Sequence, residues 1–162
     1  MNNPLLTINN LSTWFQTAQG EARAVDGVSF ALHRGETFAL LGESGCGKSI
    51  TALSVMRLVP EPAGRIVSGE VLLHEQNLLS LTEREMQSIR GRKIGMIFQE
   101  PQSSLNPVMS VGKQIKEVLD LHFSLSKVQA KRRTLELLDL VRIPDPDRRY
   151  REYPHQLSGG MK

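Results

Sequence analysis

The apolar positions at the start of the chain fall in short runs separated by turn residues. Residues 5–8 and 11–15 predict strands, with a turn at residues 9–10 between them. Residues 24–32 predict a further strand that is broken at residues 26–27. Because short strands joined by tight turns are typical of antiparallel pairing, this opening predicts an antiparallel sheet.

Two later stretches are mostly apolar and have the length of a strand. They span residues 37–41 and 94–98, and such runs are typical of buried strands in a parallel sheet. A helix is predicted over residues 48–57, directly after the first run. Residues 60–64 contain two prolines and a glycine and break the chain, after which residues 69–73 predict another strand.

Hydroxyl residues mark the starts of three further helices. Thr82 with Glu85, and Ser126 with Gln129, have the spacing of capping boxes, and Ser110 can cap the helix between them. The expected apolar stripes of the last two helices are Val111, Ile115, Val118, Leu119 and His122, and then Leu135, Leu138 and Val141. The sequence therefore predicts an α/β part over residues 1–99 and a mostly helical part over residues 100–162.

The composition of the chain fits a soluble globular domain. It has 162 residues, of which 40% are hydrophobic and 23% charged, and its net charge of +3 gives no support for a nucleic-acid partner. No run approaches the roughly 18 apolar residues of a membrane span, and the first residues lack a signal-peptide pattern. We therefore expect a cytosolic chain, or one that reaches a membrane only through its partners.

One stretch carries a specific chemical signal. Eight consecutive residues match the phosphate-loop pattern G-x-x-x-x-G-K-[ST] at every fixed position: Gly42, Glu43, Ser44, Gly45, Cys46, Gly47, Lys48 and Ser49. The backbone N–H groups of such a loop point at phosphate oxygens, and the following helix adds its positive end. Lys48 would reach the β- and γ-phosphates, and Ser49 would hold Mg²⁺. This predicts a nucleoside triphosphate site.

The end of the chain carries a second motif, Leu157-Ser158-Gly159-Gly160-Met161. A serine followed by two glycines is by itself an ordinary turn. After a phosphate loop, a strand that ends in Gln99 and a helical segment, it resembles the signature of ATP-binding subunits of ABC (ATP-binding cassette) transporters. The usual glutamine is replaced here by Met161, which is ordinary in the dipeptide, oligopeptide and nickel importer branch.

Several other stretches resemble the same branch. They are Gly42-Glu43-Ser44-Gly45, Phe98-Gln99-Glu100-Pro101, Ser104-Leu105-Asn106-Pro107, Val111-Gly112-x-Gln114-Ile115 and Tyr153-Pro154-His155-Gln156. The resemblance implies the fold of a P-loop NTPase core, with antiparallel strands at the N-terminus, a partial parallel sheet and a helical subdomain. It also implies a location at the cytoplasmic face of a membrane.

The resemblance assigns roles to individual residues. Phe15 would stack on adenine, with Trp14 as the alternative and a plain structural aromatic as the less specific interpretation. Gln99 would sense the γ-phosphate through Mg²⁺ and the attacking water, and Lys48 would act with it in catalysis. The expected nucleotide contacts are Phe15, residues 42–49, Ile50, Ser158, Gly159 and Gly160, and the expected metal contacts are Ser49 and Gln99.

The resemblance also implies an assembly. Two ATP-binding subunits, identical or different, would sandwich two ATP molecules, each between the phosphate loop of one and the signature of the other. Residues 99–107 would couple the site to membrane-spanning permease subunits, which in turn receive solute from a substrate-binding protein.

The family's Walker B strand, ending in Asp-Glu, lies after its signature, and no such run occurs between Gln99 and Lys162. We therefore expect an N-terminal piece of a longer subunit, with weak ATP binding, negligible hydrolysis and a tendency to aggregate. Two alternatives stay open at this point. One is an ABC ATPase that acts outside transport, and the other is a short module that binds nucleotide without hydrolysing it.

Overall fold

A computed structural model of the chain describes residues 3–99 and 104–161. The chain divides into two compact units, Met1–Arg90 and Gly91–Lys162. Each unit has its own buried side chains, and each is described by itself.

The first unit is built on a four-stranded antiparallel sheet with strand order β2-β1-β3-β4. Its elements are β1 (Leu6–Thr17), β2 (Gly20–Leu32), α1 (Lys48–Val55), β3 (Gly64–Leu73), β4 (Gln76–Asn77), a 3₁₀ turn (Leu78–Ser80) and α2 (Glu83–Ile89). The antiparallel opening predicted from the sequence is confirmed. Helix α1 starts at the predicted residue and ends before Met56, a little earlier than expected.

The predicted turn at residues 9–10 is wrong, because β1 continues through it. The pairing of β1 with β2 shifts register between Ile8 and Leu11, and Asn10 has a φ of 47°. The expected break at residues 26–27 lies in the same part of the ladder, where Gly27 has a φ of 69°. Asn and Gly tolerate this left-handed backbone, so the turn-forming residues produce bulges inside long strands instead of ending them.

The core of the first unit draws on the sheet and both helices. Its buried apolar side chains are Ile8, Leu11, Val25, Val55, Met56, Val71, Leu73, Leu78, Met86 and Ile89. The capping box predicted at Thr82 and Glu85 is present and starts α2. At the end of α2, Arg90 donates from Nε to the Met56 carbonyl at 2.8 Å and pairs with Glu83. This side chain therefore joins α2 to the segment after α1.

The two predicted parallel strands do not form. Residues 37–41, in the first unit, and residues 94–98, in the second, contain no strand, and Leu41 and Ile97 are 90% and 92% exposed. In the first segment Phe38 stacks on Phe30 of β2 at 4.8 Å between ring centroids. An apolar run becomes a buried strand only where neighbouring strands pair with it, and in the described part of the chain none does.

The second unit is helical. Its elements are α3 (Val111–His122), α4 (Lys127–Leu140), α5 (Pro146–Arg151) and two 3₁₀ turns, Pro154–Gln156 and Gly159–Met161. Ser110 and Ser126 precede α3 and α4 as predicted, and Ser126 with Gln129 forms the expected capping box. Val111, Leu138 and Leu157 form the core of this unit.

Two residues of the expected apolar stripes are exposed. Val141, the C-cap of α4, is 66% exposed, and Val118 of α3 is 47% exposed. The buried side of α3 is centred nearer to Gly112, where an added Cβ would lie 2.3 Å from Cδ2 of Tyr150. The ring of Tyr150 packs against this side of α3, and Val118 lies at the edge of the buried face. In the helices that the structure describes, we find none long and apolar enough to cross a membrane.

Candidate nucleotide-binding site

The phosphate-loop residues form a tight turn that leads into α1. Gly42, Gly45 and Gly47 all have positive φ values, and Gly47, with a φ of 89°, is the N-cap of the helix. A Cβ at Gly47 would lie 2.0 Å from the carbonyl oxygen of Ala24 in β2. Since real side chains never approach a backbone atom so closely, only glycine fits this position.

Lys48, the first residue of α1, folds back over the loop. Its Nζ donates to the Gly42 carbonyl at 2.8 Å and to the Glu43 carbonyl at 2.6 Å. It also lies 3.4 Å from the sulfur of Cys46, which is exposed. The ammonium group is therefore held at the loop by neutral carbonyl acceptors, which phosphate oxygens can replace with bonds in which both partners are charged.

The start of α1 fits a phosphate group. The N–H of Thr51 donates to the Gly47 carbonyl at 2.8 Å, which leaves the N–H groups of residues 48–50 ahead of the first intrahelical bond. The N-cap residue offers no side-chain acceptor to them. Such free donors at the positive end of a helix form an anion site. The loop geometry and the chemistry of its donors therefore fit a triphosphate.

The hydroxyl of Ser49 is exposed beside these donors. Among the described residues there is no cluster of three or more His, Cys, Asp or Glu side chains that could hold a metal. Within the first unit, Ser49 offers the hydroxyl that would hold Mg²⁺ at this loop, with water and the phosphates as further oxygen ligands.

Phe15 lies on the side of β1 that faces α1. Two residues earlier, the buried hydroxyl of Thr13 lies 2.7 Å from that of Ser54 in α1. Because side chains alternate along a strand, Phe15 shares the face of Thr13, and Trp14 points to the other face. There Trp14 stacks under the guanidinium of Arg23 at 4.6 Å. This geometry favours Phe15 over Trp14 as the residue near the phosphate loop.

The signature residues of the second unit are exposed between two anchors. Leu157 is buried in the core of this unit, and Met161 packs against the same cluster. Ser158, Gly159 and Gly160 lie between them at the surface, and the Ser158 carbonyl accepts the Met161 N–H at 3.0 Å. The structure thus presents a serine hydroxyl and glycine backbone to the outside.

Arginine–glutamate pairs stiffen the helical unit near this motif. Glu152 is buried, its carboxylate accepts from Arg149 at 2.6 Å and from Arg148 at 2.8 Å, and its carbonyl accepts the N–H of Val111. The Arg149 hydrogen bond, followed by that of Arg148, lowers the pKa of Glu152 below its ordinary value. This carboxylate therefore stays ionised at neutral pH and pairs within α5, while the backbone carbonyl of Glu152 links the end of α5 to the start of α3.

The other lowered pKa values have equally local causes. The pKa of Glu136 is lowered by hydrogen bonds from Arg133 and then Arg132. Hydrogen bonding to Arg90 lowers the pKa of Glu83. Hydrogen bonds from Thr82 lower that of Glu85. These carboxylates serve ion pairs and a helix cap and belong to neither glycine motif.

The remaining predicted site residues are less defined. Gln99 is exposed at a bend of the second unit, whereas the phosphate loop belongs to the first unit. Residues 100–103 of the expected coupling segment lie outside the described residues. From residue 104 onward, Gln114 of α3 orders the loop by hydrogen bonds to Asn106 and Met109.

The comparisons with known proteins agree with these motifs. A family model described as ABC transporter matches residues 25–162. The chain belongs to the ABC transporter family. Its fold is similar to that of MJ0796, a bacterial ABC transporter cassette whose dimeric structure is known. The TM-score is 0.82 at 25% sequence identity, and the match covers 96% of this chain and 64% of that one. A second structure of that cassette is of a post-hydrolysis state bound to ADP and Pi, with the same TM-score. The predicted family and the ABC ATPase fold are therefore confirmed.

Several similar sequences are named for peptide transport. The chain is 51% identical over 158 residues to the oligopeptide transport ATP-binding protein OppD of Bacillus subtilis, covering 98% of this chain and 44% of that protein. It is 48% identical to the dipeptide transport ATP-binding protein DppD of Bacillus subtilis, covering 98% of this chain and 47% of that one. The chain thus spans about half the length of these curated relatives, and the predicted resemblance to the peptide branch is confirmed.

Sequence reasoning missed the buried contacts behind the loop. Thr13, Ser54 and Ala24 fit none of the motifs, yet they join β1 and β2 to α1 and the phosphate loop. A signal was present, because Thr13 occupies an inward position of a strand and is polar. Its partner could not be read from the sequence, since the two hydroxyl residues are 41 positions apart.

Proposed function

We propose that this chain is the nucleotide-binding part of an ATP-binding subunit in an ABC importer of peptides or of a related small solute. The observation that carries the proposal is the geometry of the phosphate loop, in a chain that is 51% identical to a protein named for oligopeptide transport. In this role ATP binding and hydrolysis drive uptake.

Each end of the nucleotide has a proposed partner. Phe15 stacks on adenine, which contributes roughly 0.5–1.5 kcal/mol beyond burial. Residues 42–50 hold the phosphates through backbone N–H groups, Lys48 binds the β- and γ-oxygens, and Ser49 holds Mg²⁺. Gln99 would orient the attacking water and add an oxygen ligand to Mg²⁺.

The exposed signature supports pairing with a second ATP-binding subunit. Ser158, Gly159 and Gly160 bind the γ-phosphate of ATP that sits in the phosphate loop of the partner. ATP then draws the two subunits together, and hydrolysis releases them. In this assembly residues 1–99 serve as the ATPase core and residues 100–162 as the signature subdomain. Residues 99–107 contact permease subunits at the cytoplasmic face of the membrane, and a substrate-binding protein delivers the solute to those permeases.

The test is uptake of labelled peptide by cells that carry the chromosomal gene with Lys48→Ala. We expect peptide uptake to fall sharply, because one charge-assisted phosphate contact is worth roughly 1.5–3 kcal/mol. The matched control is Arg84→Ala, which removes an exposed cation from α2 of the same unit and leaves uptake unchanged. A second test is co-purification: the tagged protein should co-purify with hydrophobic membrane subunits.

Two results contradict the proposal. One is normal peptide uptake in Lys48→Ala, and the other is co-purification with ribosomes or DNA in place of membrane subunits.

A further inference from the structure

A buried chain of two hydroxyl groups joins the sheet of the first unit to the helix of the phosphate loop. The Oγ of Ser54 donates to the Ile50 carbonyl at 2.7 Å, and it lies 2.7 Å from the Oγ1 of Thr13. The single proton of Ser54 serves Ile50, so Thr13 is the donor to Ser54. Both side chains are fully buried, with 0% exposure.

The contact between β1 and α1 relies on two buried hydroxyl groups, where apolar side chains would also fit. Apolar side chains of similar size would fill the space without the cost of removing hydroxyl groups from water. What the hydroxyl pair adds is direction, because a hydrogen bond fixes both the distance and the orientation of its two partners. The contact therefore fixes β1 along α1 more closely than apolar packing would.

The contact lies between the two ends of the candidate site. On the side of the helix, Ile50 belongs to the first turn of α1, next to Lys48 and Ser49. On the side of the strand, Phe15 follows Thr13 by two residues and shares its face. Its ring is held against β3, where an added Cβ at Gly64 would lie 2.7 Å from Cε1 of Phe15.

We propose that Thr13 and Ser54 are positioning residues that set the spacing between Phe15 and the phosphate loop. In this way they set how much of the ATP affinity comes from stacking of the adenine base on Phe15. The inference rests on the proposed function, since it assumes that the loop binds triphosphate and that Phe15 stacks on adenine.

The experiment compares Mg²⁺-ATP with inorganic tripolyphosphate, which has the phosphates and lacks the base. Thr13→Val removes the hydroxyl and keeps the shape of the side chain, while Ser54 keeps its bond to Ile50. We expect ATP affinity to fall roughly two- to tenfold, which is the range of one stacking contact. The affinity for tripolyphosphate is expected to stay within about twofold, since the loop itself is not altered.

A second variant links the effect to Phe15. Phe15→Ala should lower the preference for ATP over tripolyphosphate by a similar factor. In the Phe15→Ala background, Thr13→Val should cause no further loss, because the contact acts only through the ring. Ser88→Ala, which removes an exposed hydroxyl from α2, is the matched control and leaves both affinities unchanged. If Thr13→Val fails to fold, Ser54→Ala removes the same contact from the side of the helix.

The outcomes separate the inference from the function beneath it. A parallel loss of ATP and tripolyphosphate binding in Thr13→Val, or a loss of ATP binding that persists without Phe15, overturns the positioning role and leaves the site. An unchanged preference for ATP over tripolyphosphate in both Thr13→Val and Ser54→Ala also overturns the positioning role and leaves the site. If the unaltered protein binds neither ligand, the proposed function and the inference both fail.

Discussion

The phosphate loop and the signature are both glycine turns, and they differ in what surrounds them. At Gly47 a Cβ would lie 2.0 Å from the Ala24 carbonyl oxygen, so the fold itself requires glycine. At Gly160 an added Cβ would have nothing within 4 Å. The loop packs against β2 of its own unit, whereas the signature is held, among the described residues, by Leu157 and Met161 at its two ends.

This difference separates two reasons for a glycine. The glycine of the loop is explained by the chain's own packing, which also shapes the backbone that would hold phosphate. The exposed glycine of the signature has no such internal reason among the described residues. We therefore expect its requirement to come from outside the chain, from the nucleotide and from the second subunit that the proposed function assigns to it.

The largest effect is expected at the braced glycine. Gly47→Ala adds a methyl group against a backbone oxygen and places a side chain at a φ of 89°. Left-handed backbone and overpacking together should lower the free energy of unfolding by roughly 2–4 kcal/mol. Chemical denaturation of the variant and the parent protein measures the change. A Gly47→Ala protein as stable as the parent would show that the fold does not depend on this close approach.

The smallest effect on stability is expected at the open glycine. Gly160→Ala should change the free energy of unfolding by less than about 0.5 kcal/mol, because the new methyl group meets nothing. ATP-dependent association of two subunits should nevertheless weaken, since a methyl group at a close interface costs roughly 1–3 kcal/mol, or about five- to a hundredfold. Sedimentation with and without ATP measures this. If the association of two subunits does not change, the second subunit is not the reason for a glycine at position 160. If Gly160→Ala instead loses much stability, Gly160 does not differ from Gly47 in the way described.

Local signals in the sequence predicted local structure well. The capping boxes at Thr82 and Ser126 formed as predicted, because each involves residues only three positions apart. The turn at residues 9–10 was wrong, since the same residues can bulge within a strand when neighbouring strands hold both sides. The strands predicted at residues 37–41 and 94–98 do not form, because a parallel strand depends on distant partners that the apolar pattern of its own residues does not reveal.

The residues of the candidate site also divide into those that local sequence identifies and those that depend on distant contacts. The phosphate loop and the signature could be found from the sequence because their residues are consecutive. The preference for Phe15 over Trp14 rests on the face of β1, which only the distant contact of Thr13 with Ser54 indicates. The binding and catalytic roles assigned to Phe15, the phosphate loop, Gln99 and the signature all stay predictions, and residues 100–103 lie outside the described residues.

The most direct test of the account is a titration of the purified protein with a fluorescent ATP analogue in Mg²⁺, alongside Lys48→Ala. Lys48 lies at the loop with its Nζ on the carbonyls of Gly42 and Glu43, ready to exchange them for phosphate. We predict binding by the parent protein and by Arg84→Ala. Affinity in Lys48→Ala should be about ten- to over a hundredfold weaker, which corresponds to roughly 1.5–3 kcal/mol. Equal binding by the parent and Lys48→Ala would contradict the claim that this loop is the nucleotide site.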